Sequence, residues 1–412
     1  MLTCYYTSPQ FVAKLRNSLA GPYLDGFAAV LKEAGYTQSS ARRYIRAAQH
    51  LLHWAKGKQI PPHALRATDS ARFKRHLPRC QCRPYGHADR RSLESGARLF
   101  LGYLQRIGVV PTGCADDDPP TPPLLEAFRQ WMKAQRNTAE ATLNNYGHAI
   151  RELLRTLGED PSGFDARGLR EFVLEQSRHG GWAKAQTMVT AVRAFIRFLI
   201  AQGQCPAGLD EAILAPAHWH LSALPHYLPA EAIERIVAAC DRNTPVGIRD
   251  RAIVLLLARL GLRAGDIVTL RLGDINWEQA WISVAGKGRR EHHLPLSQEV
   301  GDALAAYLTG VRPAVDTDRL FLRSRAPLRG LGSHCAVSVI VAKAMRRAGV
   351  TPATRGAAHV LRHSAATNLL RQGASLQDIA ALLRHRSIET TAIYAKVDVG
   401  LLKQVAQPWP EG

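Results

Sequence analysis

Two helical segments about 100 residues apart read as copies of one another, which limits the chain to architectures built from repeated helical modules. YLDGFAAVLKEAGYTQSSARRYIRAAQHLLHWA, from Tyr23, compares with LLEAFRQWMKAQRNTAEATLNNYGHAIRELLRTL, from Leu124: each is an apolar helix, a break containing threonine and a second helix. Both close alike, on ARLFLGYLQRIGVVP from Ala97 and VRAFIRFLIAQGQCP from Val192, an aromatic-rich helix with a glycine stop. Proline-rich connectors follow at 111–123 and 206–227, where no regular element is expected. The chain therefore divides into a helical module over 1–115, a second over 120–206, a third part over 227–400 and a tail over 401–412. At 412 residues, each part but the tail is long enough to bury a core.

The third part carries the chemistry. In RDRAIVLLLARLGLRAGDIVTLRLGDINW an apolar, buried helix is expected to stop at Gly261, followed by Arg263 and Asp266 at i,i+3 spacing. That spacing lets Asp266 hold the Arg263 fork. Strand-like runs at 280–285 and 291–296 flank Gly286-Lys287-Gly288-Arg289, a tight turn that would project Lys287. HVLRHSAATNLL then supplies His359, Arg362 and His363. Ser375 and Asp378 read as a capping box opening a helix that carries His385 at its end, and Tyr394 lies nine residues beyond His385.

Taken singly, each of these has a bland reading: a surface ion pair, a solvated turn lysine, a core tyrosine. His359 and His363 at i,i+4 match a helical zinc pair, but no Glu follows His359, so His363 reads as a buried structural partner. Together they suit phosphoryl transfer to tyrosine. Attack on a phosphodiester builds charge on the non-bridging oxygens, which guanidinium forks neutralise, and a lysine can protonate the leaving alkoxide.

These runs resemble those of tyrosine recombinases, the phage-integrase and Xer type of site-specific DNA recombinase. That family has an arginine after a G-L-R run, a lysine in a G-K-G hairpin, an H-x-L-R-H helix start, a histidine 23 residues past its arginine and a tyrosine nine further on. Here those positions are Arg263, Lys287, His359, Arg362, His385 and Tyr394. Two departures stand out: Arg384 occupies a position where the family usually has glycine, and Asp266 one where glutamate is common. The resemblance implies a mainly α, multidomain fold: two helical, SAM-like DNA-binding domains before a mixed α/β catalytic domain with a small antiparallel sheet. It implies Tyr394 as nucleophile, Arg263, Arg362 and His385 on the phosphate, His359 assisting at the tyrosine proton, and Lys287 as general acid. It implies no cofactor. The partners implied are double-stranded DNA and further protomers, four on two duplexes, with related recombinases or accessory DNA-bending proteins as further candidates. The outcome would be integration, excision, inversion or transposition. A type IB topoisomerase and a DNA-binding regulator with an unused site are the alternatives.

Charge agrees with a polyanionic partner. The net charge is +20, and residues 1–115 hold 18 Lys and Arg against five Asp and Glu. Arg42, Arg43, Arg46, Lys74 and Arg75 there, with Arg289 and Arg290 beside the hairpin lysine, are the candidate DNA contacts. Cys80, Cys82 and His87 have atoms that chelate zinc, but C-x-C spacing without a second pair is a weak signal, and no metal is expected. Seven cysteines without a pairing framework fit reduced thiols in a cytoplasm, and the resemblance implies a bacterial, nucleoid-associated protein. No apolar run is long enough to span a bilayer. In the tail, Leu401, Leu402, Val405 and Trp409 form an apolar edge that docks either on its own domain or on a neighbour.

Overall fold

The computed structural model describes residues 1–66, 68–82, 85, 89–111, 121–178, 181–214, 226–285, 291–351, 356–385 and 387–395. They form two compact units. One comprises residues 1–65, 70–109 and 221–412; the other comprises 66–69 and 110–220.

In the first unit the chain opens with helices α1 (Pro9–Arg16), α2 (Gly21–Glu33), α3 (Gln38–Gly57), α4 (Asp69–His76) and α5 (Arg90–Arg106). Thr37 caps α3 by accepting from the Ser40 backbone N–H. On α3, Ile45, Leu51 and Leu52 are buried and Tyr44 is half-buried, while Arg42, Arg43, Arg46 and His53 are exposed. Arg42, Arg43 and Arg46 line a cleft of about 480 Å³ with Tyr6, Lys14 and Tyr85.

The second unit contains α6 (Pro123–Arg136), α7 (Glu140–Leu157), α8 (Ala166–Arg178) and α9 (Trp182–Ala201). Asn137, at φ 44°, ends α6 in the left-handed conformation that asparagine tolerates. Its core repeats a detail of the first five helices. Phe27 and Phe100 meet edge-on at 5.1 Å between ring centroids, and Phe128 and Phe195, the residues matched to them in the sequence repeat, meet edge-on at 5.5 Å. Phe27 also meets Tyr103 at 5.7 Å, and Phe128 meets Phe198 at 5.8 Å. α3 packs along α5 as α7 packs along α9.

The remainder of the first unit is built on α11 (Pro245–Arg259), which is buried on nearly every side, as a helix without a polar face must be. It follows α10 (Ala230–Ala238) and precedes the short α12 (Ala264–Thr269). A three-stranded antiparallel sheet comes next, β1 (Ile275–Asn276), β2 (Trp281–Ala285) and β3 (Glu291–Pro295), in the order β1-β2-β3. Ile275, Ile282 and Leu294 align across it and are buried. Helices α13 (Gln298–Ala306), α14 (His334–Arg347), α15 (Ala357–Arg371), α16 (Leu376–Leu383) and α17 (Glu389–Ala392) complete the unit. The expected fold class holds at the level of a mainly helical protein with a small antiparallel sheet. No helix among the described residues is long and apolar enough to cross a membrane.

Candidate active site

The ends of α11, α15 and α16 converge. Gly261 terminates α11 at φ 57°, and a Cβ there would stand 2.6 Å from Leu383 Cδ2, so both the backbone conformation and the space call for glycine. The Gly261 carbonyl accepts from the guanidinium of Arg362 on α15, which also donates to the Leu383 carbonyl at the end of α16. One buried arginine therefore ties two helix C-termini, where orphan carbonyls need donors. Arg263 reaches the same place, its Nη2 donating to the carbonyls of Leu383 at 3.4 Å and Arg384 at 3.3 Å.

Asp266 does not hold the Arg263 fork. Its Oδ2 accepts from the Arg263 backbone N–H at 2.8 Å, as an N-terminal helix acid does, and from the Nη2 of Arg384. An acid three residues after the N-cap sits nearest the free backbone N–H groups, and the buried guanidinium of Arg384 takes its other side. Arg384 is the site residue that the motif reading left without a role. It occupies the left-handed position after α16, at φ 54°, which explains why glycine is common there. Its side chain is buried, and its Nε and Nη1 have no hydrogen-bond partner among the described residues. The signal in the sequence was an arginine at a position where the family usually has glycine. Three guanidinium groups, of Arg263, Arg362 and Arg384, thus cluster near one carboxylate to which only the Arg384 guanidinium donates, a local excess of positive charge. Burial, then Arg263 and Arg384, pull the Arg362 guanidinium down to about 10. A phosphate would relieve that repulsion.

Tyr394 is buried, with only 2% of its surface exposed, and its hydroxyl lies 2.8 Å from Nδ1 of His363. The sequence reading put His359 at this proton; the structure puts His363 there, because residues i and i+4 on α15 share a face and His363 is the deeper of the two. His359 is exposed, its ring centroid 6.1 Å from that of His363. His385 lies nearly parallel to the Tyr394 ring, centroids 6.5 Å apart, with Nδ1 on the Thr391 hydroxyl at 2.8 Å. The Ser375 and Asp378 capping box opens α16 as expected. Burial raises the Tyr394 phenol above its ordinary range, with Arg362 and Arg263 opposing the shift. A buried phenol needs an acceptor, and a neutral His363 is one. Lys287, Arg289, Arg290 and the tail lie outside the described residues, as does His87.

Burial lowers His363 to about 4, with His359 and Arg362 adding to it, and lowers His385 to about 4, with Arg362 and Arg263 adding to it. Between an unfolded value of 6.5 and these folded values the unfolded chain binds protons that the folded chain does not, so stability falls as pH drops through that window. Thermal melts from pH 7.5 to 4.5 at fixed ionic strength should show Tm falling, with a shallower fall in His363→Gln. A fall of equal steepness in wild type and variant would contradict the assignment.

Residues 226–400 match the phage integrase family. A putative integrase/recombinase of Sinorhizobium fredii, y4rA, is 33% identical over 395 residues, covering 94% of each chain. The tyrosine recombinase XerD of Xanthomonas axonopodis is 32% identical over 291 residues, 66% of this chain and 92% of its own. In fold, the XerH site-specific recombinase bound to palindromic difH substrate aligns with a TM-score of 0.54 at 20% identity, over 70% of this chain and 85% of that one. Arg263, His359, Arg362, His385 and Tyr394 fall inside the matched segment, on converging elements, and the similarity to y4rA extends over almost the whole length: the chain belongs to the phage integrase family, the tyrosine recombinases.

Proposed function

We propose that this protein cuts and rejoins double-stranded DNA at specific sites through a covalent link to Tyr394. The observation that carries the reading is the Tyr394 hydroxyl on His363, beside three clustered arginines. As the phenol oxygen attacks the scissile phosphorus, its proton passes to His363, and the exposed His359 relays it outward. Arg263 and Arg362 take the non-bridging oxygens, with His385 adding a hydrogen bond and Arg384 holding Asp266 in place. The bond from phosphorus to the 5′-oxygen breaks, and Lys287 protonates that oxygen. The product is a 3′-phosphotyrosyl bond and a free 5′-hydroxyl. Storing the phosphodiester covalently lets a 5′-hydroxyl from a partner duplex reverse the step and complete strand exchange through a Holliday junction. Four protomers on two duplexes would carry out both exchanges, with the 401–412 tail docking in cis or in trans.

Residues 120–206 act in this reading as the core-binding domain, and residues 1–115 as a duplicate of it. The matched ring pairs Phe27 with Phe100 and Phe128 with Phe195 support common ancestry of the two helical sets. The exposed Arg42, Arg43, Arg46, Lys74 and Arg75 support phosphate contact by the first. Replacing Arg43 and Arg75 with glutamine should lower the slope of log affinity against log salt by about 1.8, at about 0.9 per lost phosphate contact. An unchanged slope would remove this face from the DNA interface.

A nicked suicide substrate tests the whole reading. Covalent trapping at one defined site is expected. Trapping at scattered sites would indicate a topoisomerase-like enzyme, and none would indicate a regulator.

A further inference from the structure

We propose that the first five helices hold a structural zinc ion on His50, His76, Cys80 and Cys82. The four ligand atoms, one from each residue, all lie within 4.8 Å of one another. Cys80 Sγ is 3.3 Å from His50 Nε2, and Cys82 Sγ is 3.6 Å from His76 Nε2. Around a tetrahedral zinc, with bonds of about 2.0–2.1 Å to nitrogen and about 2.3 Å to sulfur, neighbouring ligand atoms stand roughly 3.3 to 3.8 Å apart. Two edges of the tetrahedron are therefore already in place, and rotations of about an ångström close the rest.

The chemistry of the pocket points the same way. His50 is 1% exposed, yet its Nε2 faces only a thiol and its Nδ1 has no hydrogen-bond partner among the described residues. A thiol is a weak partner, and burying an imidazole so poorly bonded costs stability that a metal bond would restore. The Cys82 backbone N–H already points at Cys80 Sγ, at 3.4 Å, a donor suited to a thiolate. Aromatic rings wall the group: Tyr85 stacks on His50 at 4.9 Å, and Phe73 meets His50 edge-on at 5.0 Å. Trp54 lies against His76 at 6.3 Å.

The ligand set spans α3, the last residue of α4 and the segment beyond the 3-10 turn that follows it, so the ion would tie three pieces of chain together. It is illegible in sequence because His50 lies 30 residues before Cys80, whereas His87, the histidine that sequence proximity offers, lies outside the described residues. Arg72, Arg75 and Arg79 line an open cleft with Trp54, Lys58 and His76, so the clamp would also fix a basic surface. The site is some distance in sequence from every residue assigned to the chemistry, and its existence does not depend on that chemistry.

The test uses the full-length protein purified under reducing conditions, with metal content measured by mass spectrometry and zinc then exchanged for Co²⁺. The expected result is one zinc per chain, and a cobalt spectrum with intense four-coordinate d–d bands and a thiolate charge-transfer band. Cys80→Ser and Cys82→Ser should each lose the stoichiometric metal, while Cys335→Ser, outside the cluster, keeps it. Should the cluster variants fail to fold, the cobalt spectrum of the wild-type chain still decides. Absence of metal after zinc addition, a cobalt spectrum without thiolate bands, metal retained in Cys80→Ser, or a Cys80–Cys82 disulfide in the reduced preparation would each overturn the proposal.

Discussion

Tyr394→Phe should abolish covalent attachment to DNA while leaving DNA affinity within a few fold of wild type. The substitution removes one oxygen and no cation, so the electrostatic grip on phosphate is unchanged. Its structural cost is the hydrogen bond to His363, about 0.5–1.5 kcal/mol, too little to unfold the domain. The two readouts are a denaturing gel for the adduct and a mobility shift for binding. A surviving adduct would mean that another residue attacks; a large loss of binding would mean that the hydroxyl organises the DNA surface as well as reacting.

Arg362→Lys should slow cleavage by roughly 10²–10³, the range seen when one preorganised oxyanion donor is lost. The guanidinium fork holds the carbonyls of Gly261 and Leu383, and in the proposed mechanism it must also supply N–H groups to the phosphate. An ammonium lacks the fork that spans both carbonyls, and because Arg263 also donates to the Leu383 carbonyl, the group put at risk is the Gly261 carbonyl, at about 1–3 kcal/mol when unpaired. Tm should therefore fall too. Single-turnover cleavage measured well below the new Tm separates the two effects, and a rate within tenfold of wild type would argue that Arg263 and Arg384 suffice for the phosphate.

The candidate site residues came from the resemblance to tyrosine recombinases, while the local structure around them follows rules legible in the sequence. Gly261 marks a helix stop, Ser375 and Asp378 mark a helix start, and the spacing from Arg362 to His385 to Tyr394 counts out the elements between. β2 and β3 fall on the strand-like runs expected at 280–285 and 291–296. What sequence could not supply was partnership across the fold. Asp266 was paired with its sequence neighbour Arg263, but its side chain meets Arg384, 118 residues away. His359 is the histidine the resemblance assigns to the tyrosine proton, but the Tyr394 hydroxyl meets His363, a choice between two residues one turn apart that only the depth of α15 decides. The same blindness hid the His50, His76, Cys80 and Cys82 group, whose members come from separate elements.

The most direct measurement is to trap wild-type protein on a nicked duplex, digest the adduct and identify the modified peptide and the DNA end by mass spectrometry. The expected result is DNA joined through its 3′-phosphate to the peptide containing Tyr394, at a single position in the duplex. Linkage through a 5′-phosphate, linkage to any other residue, or no adduct at all would contradict the assignment of Tyr394 and the arrangement built around it.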